Sequence, residues 1–536
     1  MSQIGRPPCD DAVIAAGRPA TGCPPAAKPW VLAAAIIGSS MAFVDGTVVN
    51  VALPAIQREL DATAFQAQWV VESYALFLAA LLLVGGSMGD RFGRRKVFAL
   101  GVALFAGASV GCALAGSVQQ LIAARAVQGV GGALLVPGSL ALISANFNEK
   151  ERGKAIGTWS GFSGITAAVG PVIGGFLVDH YSWIWAFLVN VPLALLVLAI
   201  TAWHVPESHG GEADAPLDWL GALLATLALG GVVYAFIEAP SQGWGASAVL
   251  AALVVGAAAG IAFVAWEIGQ ERRARSPMLP LSFFRSSDFS GANLLTLLLY
   301  AALGGGLYFF PLNLIQVQGY SATAAGGALL PFILILFALS RWTGQLADQV
   351  GARLPLVVGP AVAAVGFALF AVPGTGASYW TGFFPAVVVL GLGMAITIAP
   401  LTTTVMNAVG TDAAGVASGV NNAVSRVAAV LAIAVFGLLM ARAFGARLDA
   451  GLRQLDAPPE VVQFLSGQRA RLAEAALPPG MDGAAADALR EQIRAAYVSG
   501  FRWIMLASAA LALLSALAAW LLIGKKADAG GGQGAS

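Results

Sequence analysis

The stretch Gly86-Ser-Met-Gly-Asp-Arg-Phe-Gly-Arg-Arg-Lys96 separates two long apolar runs, and its frame occurs a second time as Gly344-Gln-Leu-Ala-Asp-Gln-Val-Gly-Ala-Arg353. The two glycines, the aspartate and the final arginine that match are each offset by 258 residues. The same offset carries the start of the first apolar run, residue 30, to residue 288, where a later run begins. These matches predict a duplicated chain, as in transporters that place their substrate near the midplane between two repeats and move the repeats in turn.

The composition assigns these runs to a membrane. Of 536 residues, 58% are hydrophobic and 11% are charged, whereas soluble domains carry about a quarter of charged residues. A helix of about 20 apolar residues crosses the hydrocarbon core of a bilayer. Fourteen such helices are predicted, near residues 30–53, 68–88, 97–116, 119–142, 154–178, 183–204, 217–238, 246–267, 289–312, 322–345, 354–373, 380–402, 413–441 and 499–523. The formal charge of +1 and scattered arginines give no basic face for nucleic acid.

The expected architecture is an all-α integral membrane protein with two six-helix bundles and two helices inserted between them. The predicted parts are a tail (1–29), the first bundle (30–204), the inserted pair with its loops (205–288), the second bundle (289–523) and a tail (524–536). The second bundle contains one long loop, 442–498, in which arginine and acidic residues alternate with apolar ones. That pattern predicts amphipathic helices covering one face of the bundle.

Lysine and arginine in the short loops predict the orientation, because cytoplasmic loops carry the excess of positive charge. One set of short loops contains only Arg58. The opposite set contains Arg91, Arg94, Arg95, Lys96, Lys150, Arg152, Lys154, Arg272, Arg273, Arg275, Arg285 and Arg353. With an even number of helices, both termini are expected in the cytoplasm and the loop 442–498 on the outside of a bacterial inner membrane.

The first copy of the repeated motif has the chemistry of a gate. Gly86 allows close helix approach, Gly93 forms the turn, and Asp90 stands beside Arg91 and Arg94. Charge-assisted bonds between them can form in one state of a transporter and break in another, although an anchor at the membrane surface is the simpler alternative. In the second copy Asp348 is retained, but two of the basic positions are not. The motif resembles the signature between the second and third helices of the major facilitator superfamily, and the resemblance covers residues 30 to 523.

A carboxylate stands inside the first helix, in Phe43-Val-Asp-Gly-Thr-Val-Val-Asn-Val-Ala-Leu-Pro54. An ionised aspartate at membrane depth costs about 2.5 to 3.5 kcal/mol, so Asp45 is expected to take up a proton readily; a purely structural bond within the bundle is the alternative. The stretch is similar to a motif of the fourteen-helix drug:proton antiporter family. That resemblance implies a role for Asp45 in coupling and makes Asn50 a candidate for the substrate path.

Arg125 lies within the fourth helix, in Leu121-Ile-Ala-Ala-Arg-Ala-Val-Gln-Gly-Val-Gly-Gly-Ala133, a stretch that resembles the basic motif of the superfamily. At 1.5 Å per residue, Arg125 lies about 9 Å, Asp45 about 12 Å and Glu72 about 6 Å from the outer ends of their helices. We therefore predict Asp45 and Arg125 as the proton-coupling pair. Glu72 is a further coupling candidate, though a carboxylate so near the interface can also reach water.

Small residues dominate the fifth helix, where Gly161, Gly170 and Gly174 accompany Pro171. By themselves they predict a bent, closely packed helix. The segment also resembles the antiporter motif of exporters in the superfamily, which implies export. Asn293 and Arg426 are further substrate-path candidates because they are polar residues within apolar helices.

No cofactor or metal site is predicted. The chain has no Gly-x-x-x-x-Gly-Lys-Ser/Thr loop for ATP, and its three histidines lack the spacing of metal ligands. The sequence therefore predicts no enzyme but a proton-coupled antiporter that exports small lipophilic or amphiphilic molecules. Its expected partners are that substrate, protons and the lipid bilayer, and nothing in the sequence supports a periplasmic adaptor. The alternatives are a proton-coupled importer of an organic solute and a membrane sensor or scaffold that transports nothing.

Overall fold

A computed structural model describes residues 27–147, 149–209, 218–273, 277–409 and 414–524, and within them the regular structure is entirely helical. The predicted tails lie almost wholly outside the described residues. The helices before residue 280 are α1 (Lys28–Glu59), α2 (Ala64–Phe92), α3 (Arg94–Ala113), α4 (Val118–Asn146), α5 (Glu149–His180), α6 (Ile184–Leu188), α7 (Asn190–His204), α8 (Trp219–Gln242) and α9 (Ser247–Arg272). Those that follow are α10 (Ser287–Leu312), α11 (Ala322–Gly327), α12 (Leu330–Val350), α13 (Arg353–Phe370), α14 (Phe384–Asn407), α15 (Ala414–Gln454), α16 (Pro459–Gln468) and α17 (Ala484–Leu522).

The membrane fold predicted from the sequence is confirmed. In the part of the chain that the structure describes, thirteen helical segments are long and apolar enough to cross a membrane. Four of them join adjacent helical elements. Ile184–His204 contains α6 and α7, and Ala322–Leu339 contains α11 and the start of α12. Ser287–Val317 adds the π-helix Asn313–Val317 to α10, and Tyr379–Asn407 adds the π-helix Tyr379–Phe383 to α14. The remaining predicted span corresponds to α5, a continuous helix of 32 residues.

The helices form two compact units. The first contains the described residues of Met1–Pro280, Tyr308–Ala328 and Ile433–Gly500, and the second those of Leu281–Leu307, Leu329–Ala432 and Phe501–Ser536. The inserted helices α8 and α9 belong to the first unit, where Nε1 of Trp69 on α2 donates a hydrogen bond to Glu238 on α8 at 3.0 Å. The boundaries expected from the sequence, at 204, 288 and 523, stay predictions.

The two copies of the repeated motif form turns of the same kind. Gly93 separates α2 from α3 with φ of +106°, and Gly351 lies between α12 and α13 with φ of +83°. Side chains of L-residues rarely adopt such values, so glycine is the residue that each turn requires. The 258-residue spacing therefore marks two equivalent helix-to-helix turns.

Glycines bring α4 directly against its neighbours in the first unit. A Cβ atom at Gly129 would lie 2.5 Å from the carbonyl oxygen of Tyr74 on α2, and one at Gly131 would lie 2.6 Å from the backbone nitrogen of Phe105 on α3. Small residues allow such approach where lipid provides no hydrophobic force between helices. The buried rings of Phe98 and Phe105 fill the remaining space between α3 and α4.

We expect Gly131→Val to destabilise the first unit, because a side chain at this position must push α3 away from α4. Overpacking of this kind costs about 1 to 3 kcal/mol, and more where the backbone must move. The measurement is the apparent midpoint of thermal unfolding in detergent. Gly107→Val is the matched control, since a Cβ atom at Gly107 meets no atom within 4 Å; equal losses in both variants would contradict the packing argument.

Residues 442–498, expected to be a long loop that contains amphipathic helices, are largely helical. α15 has 41 residues and α17 has 39, roughly twice the length that a bilayer requires. Arg58 of α1 pairs with Glu474 at 3.4 Å, and Arg471 pairs with Asp61 at 2.5 Å, which attaches the segment after α16 to the turn between α1 and α2. Burial raises the pKa of Glu474, and the nearby charge of Arg58 partly opposes this shift.

Candidate functional site

Asp45 lies on α1 and is completely buried within the first unit. Its Oδ2 is 2.5 Å from Nη1 of Arg125 on α4. Its Oδ1 accepts hydrogen bonds from Nε2 of Gln128 at 2.8 Å and from Nδ2 of Asn190 at 3.2 Å. One oxygen of the carboxylate therefore faces a cation, and the other faces two neutral amides.

Arg125 is also enclosed, with 1% of its surface exposed. Its Nε donates to the backbone carbonyl of Val70 at 3.0 Å, and its Nη1 donates to Oε1 of Gln128 at 2.7 Å. The guanidinium lies over the ring of Tyr74 at 4.2 Å and near that of Phe187 at 5.7 Å. Because Arg125 keeps a carbonyl, an amide and two aromatic faces, its charge has other partners besides Asp45.

Three polar residues of this cluster were not assigned from the sequence. Gln128 bridges Asp45 to Ser109 on α3, whose Oγ accepts from Nε2 of Gln128 at 2.8 Å. Asn190, at the start of α7, approaches the same Oγ at 3.5 Å. The position of Gln128 three residues after Arg125 places both on one face of α4, and the occurrence of Asn190 in an apolar run is a second usable signal.

The arrangement determines where a proton can bind. Oδ1 of Asp45 already accepts two N–H bonds, whereas Oδ2 faces only Arg125. A proton on Oδ2 would remove the negative charge that holds Arg125 while leaving both amide bonds to Oδ1 in place. Protonation can therefore break the ion pair between α1 and α4 while the hydrogen bond from Gln128 of α4 to Asp45 of α1 remains.

Glu72, on α2, is completely buried, and neither carboxylate oxygen has a hydrogen-bond partner among the described residues. It lies one turn beyond Gln68, which borders a cavity of about 20 Å³. That volume is enough for about one water molecule. The polar residues that line the cavity are Gln57, Gln68, Tyr308, Gln316 and Tyr497. No described hydrogen bond joins Glu72 to Asp45 or Arg125, so the third coupling candidate stands apart from the pair.

The predicted gating motif contacts Glu207, a residue that the sequence analysis did not identify. Arg94 pairs with Asp90 at 2.7 Å, whereas the guanidinium of Arg91 lies over the ring of Phe92 at 5.6 Å. Glu207, which follows α7, accepts from the backbone nitrogen of Arg95 at 2.9 Å. A Cβ atom at Gly93 would lie 2.7 Å from the carboxyl carbon of Glu207. Gly93 therefore allows the positive φ of the turn and also leaves the space that the carboxylate of Glu207 occupies.

Other gating and motif residues are only partly described. Gly86 lies on α2, where a Cβ atom at this position would lie 3.6 Å from Cβ of Pro137 on α4. Asp348 lies on α12 and Gly161 on α5, but the side chain of Asp348 and the surroundings of Gly161 fall outside the described residues. Of the second copy, the structure places Arg353, which donates to the backbone carbonyl of Trp520.

The small residues of the predicted antiporter motif pack α5 against α1 beside Asp45. A Cβ atom at Gly170 would lie 2.5 Å from Oγ1 of Thr47, and one at Gly174 would lie 2.6 Å from Cγ1 of Val48. On another face of α5, the carbonyl of Pro171 contacts the backbone of α11 at Gly326. These contacts place the motif two and three residues from the buried carboxylate along α1.

The substrate-path candidates lie at separate places. Asn50 is half-buried on α1, and its Oδ1 has no hydrogen-bond partner in the part of the chain that the structure describes. Asn293, in the second unit, is buried and accepts from Nδ2 of Asn421 at 3.2 Å. Arg426 is half-buried on α15. Nothing in these environments distinguishes a substrate contact from a bond between helices.

The described residues contain no group of three or more His, Cys, Asp or Glu side chains that could hold a metal ion. The candidate site around Asp45 consists of ionisable and amide side chains on helices.

The chain is similar to known membrane transport proteins over most of its length. The model of the Major Facilitator Superfamily matches residues 35–433. The chain is 36% identical over 433 residues to the Multidrug resistance protein Stp of Mycobacterium tuberculosis (strain CDC 1551 / Oshkosh), covering 80% of this chain and 78% of that protein. It is 33% identical over 509 residues to the Tetracenomycin C resistance and export protein of Streptomyces glaucescens, covering 94% and 92%.

Among solved structures, a bacterial homolog of the human lysosomal transporter Spinster superposes with a TM-score of 0.64 at 18% identity, covering 94% of this chain and 97% of that chain. This likeness concerns the fold alone. It agrees with the helical membrane architecture described above.

Proposed function

The chain belongs to the major facilitator superfamily, and on that premise we propose that it is a proton-coupled antiporter exporting small lipophilic or amphiphilic molecules. Its relatives include drug and antibiotic resistance exporters, and it is a multi-pass membrane transporter of small molecules and no enzyme. Proton coupling, the direction of exchange and residence in the cytoplasmic membrane with both termini inside are parts of the proposal.

The observation that carries the proposal is the burial of Asp45 against Arg125 with only one of its oxygens facing that cation. A buried ion pair from which one charge is removed leaves the other uncompensated, and this is strongly unfavourable. A proton on Asp45 is the smallest ligand that can neutralise the carboxylate reversibly. The site can thus exist in two charge states with different attachments between α1 and α4.

In the proposed cycle, a proton from the outside binds Oδ2 of Asp45 and releases Arg125. The guanidinium keeps Val70, Gln128 and the ring of Tyr74, so it remains solvated by the protein. With this ion pair broken, α1 changes its packing against α4 and substrate leaves on the outside. Loss of the proton to the cytoplasm restores the ion pair and resets the carrier.

Other predicted residues fit as supporting parts of this cycle. Glu72 serves as a second protonation site, since a carboxylate without hydrogen-bond partners costs more to bury than a neutral carboxyl group. Asp90 and Arg94 form a gate contact that is easy to break, because the side chain of Asp90 is 47% exposed and water competes for its carboxylate. Gly170 and Gly174 transmit a change in α1 to α5, because the side chains of Thr47 and Val48 on α1 lie directly against these glycines of α5.

The test uses inverted membrane vesicles, in which the cytoplasmic face is outside. Tetracenomycin C is the first compound to try, because an exporter of that compound covers 94% of this chain. We expect accumulation inside acidified vesicles, together with release of protons when the drug is added. A pH-sensitive dye and the labelled compound measure the two fluxes separately.

Vesicles without the protein provide the control for passive partitioning. Drug uptake that survives collapse of the proton gradient would contradict the coupling. Movement of the compound out of the vesicle lumen together with protons would indicate a proton-coupled importer. If neither tetracenomycin C nor a panel of lipophilic compounds moves protons, the proposal of drug antiport fails.

A further inference from the structure

Two buried carboxylates lie together at one end of the inserted helices, away from the cluster around Asp45. Asp218 precedes α8, and Glu267 lies near the end of α9. Glu267 is 0% exposed and Asp218 is 8% exposed. Neither residue has a part in the function proposed above.

In each carboxylate, only one of the two oxygens accepts described hydrogen bonds. Oδ1 of Asp218 accepts from the backbone nitrogen of Gly221 at 2.8 Å and from Nε1 of Trp266 at 2.7 Å. Oε2 of Glu267 accepts from the backbone nitrogen of Leu279 at 3.0 Å. These bonds fix both side chains in orientation, and the last one attaches the segment after α9 to the helix pair.

The other two oxygens have no hydrogen-bond partner among the described residues and border the same space. They are Oδ2 of Asp218 and Oε1 of Glu267. A Cβ atom at Gly221 would lie 2.5 Å from the first and 2.9 Å from the second, so glycine leaves room for both. Two partnerless oxygens therefore meet at one point in the protein interior.

No described cation compensates this pair. Neither acid takes part in an ion pair among the described residues. On α9, Arg272 and Arg273 are exposed and Glu271 is half-buried. The stretch 75–89 of α2, the helix packed along α8, contains no ionisable side chain. If both carboxylates were ionised, their charges would repel each other strongly in the protein interior.

A proton shared between the two carboxyl groups removes one negative charge and supplies a hydrogen bond between the two partnerless oxygens. With one proton bound, the O–H of one carboxyl group donates to the partnerless oxygen of the other. Gln270, one turn along α9, adds only one more buried oxygen without a partner. Three protein oxygens fall well short of the six to eight that Ca²⁺ takes, so a proton fits the pair better than a metal ion.

We propose that Asp218 and Glu267 form a further proton-binding site, separate from Asp45 and Glu72, which holds one shared proton near neutral pH. Deprotonation at higher pH drives the carboxylates apart and weakens the bond from Leu279, which loosens the attachment of the following segment to α9. The site exchanges protons independently of Asp45 and does not depend on the proposed transport cycle.

Infrared spectroscopy of the purified full-length protein tests this site. The difference spectrum between wild type and Glu267→Gln near pH 7 should contain the band of one protonated carboxyl group, which disappears as the pH is raised. In Glu267→Gln the amide N–H can donate to Asp218 without a titratable proton, so the fold is preserved. Asp218→Asn should remove the same band, and Glu271→Gln is the matched control that should leave it unchanged.

Two results would overturn the proposal. The first is a difference spectrum with only carboxylate bands near pH 7, which would mean that both acids are ionised. The second is a spectrum that changes when EDTA removes divalent cations, which would identify a metal ion as the ligand. As a second measurement, hydrogen exchange at the amide of Leu279 should accelerate with pH beyond its intrinsic dependence in wild type, by up to about tenfold per pH unit, and not in Glu267→Gln.

Discussion

Replacement of Asp45 with asparagine is expected to abolish energy-dependent export while the protein remains folded. Asparagine keeps a carbonyl oxygen for the amides of Gln128 and Asn190, but it can neither bind nor release the proton. In this variant Arg125 loses its anionic partner but keeps its hydrogen bond to the carbonyl of Val70 and its contacts with two aromatic rings. Drug accumulation should therefore rise to the level of cells that lack the protein.

The experiment measures accumulation in cells with and without a protonophore. In wild-type cells the protonophore should raise accumulation, whereas in Asp45→Asn cells it should have no further effect. Asp487→Asn provides the matched control, since this acid pairs with Arg490 on the exposed surface of α17 and should export normally. Full export by Asp45→Asn with an intact response to the protonophore would refute proton coupling through this residue.

The helices and the repeat could be predicted because lipid imposes a simple rule on composition. A span must be apolar along its length, and a turn like that at Gly93 or Gly351 needs a residue that tolerates positive φ. The extents of α15 and α17 were not predictable in this way. Beyond the membrane their buried residues, such as Phe444, Leu448 and Leu452, recur as in any amphipathic helix in water.

The candidate site was predictable only where charge was present. Asp45 and Arg125 are costly in an apolar helix, which made them visible in the sequence. Gln128, Ser109 and Asn190 cost less, and their contribution depends on the rotation of α3, α4 and α7 about their axes. Glycines set that rotation through close contacts, as at Gly131, and such contacts cannot be derived from one chain's sequence alone.

Replacement of Arg125 with methionine is expected to cause the largest loss of stability. Methionine fills much of the same space with an unbranched apolar chain, but it leaves the carboxylate of Asp45 buried without a cation. Removing one partner of a buried ion pair costs about 3 to 5 kcal/mol. The apparent midpoint of thermal unfolding in detergent should fall sharply, well beyond the effect of Asp45→Asn.

The double variant Asp45→Asn/Arg125→Met separates the charge from the packing. If the uncompensated carboxylate causes the loss, removing it should restore most of the stability of Arg125→Met without restoring export. Equal instability of the single variant Arg125→Met and the double variant would mean that Arg125 acts through its packing against Tyr74 and Phe187. The ion pair would then lose its place as the element that proton binding switches.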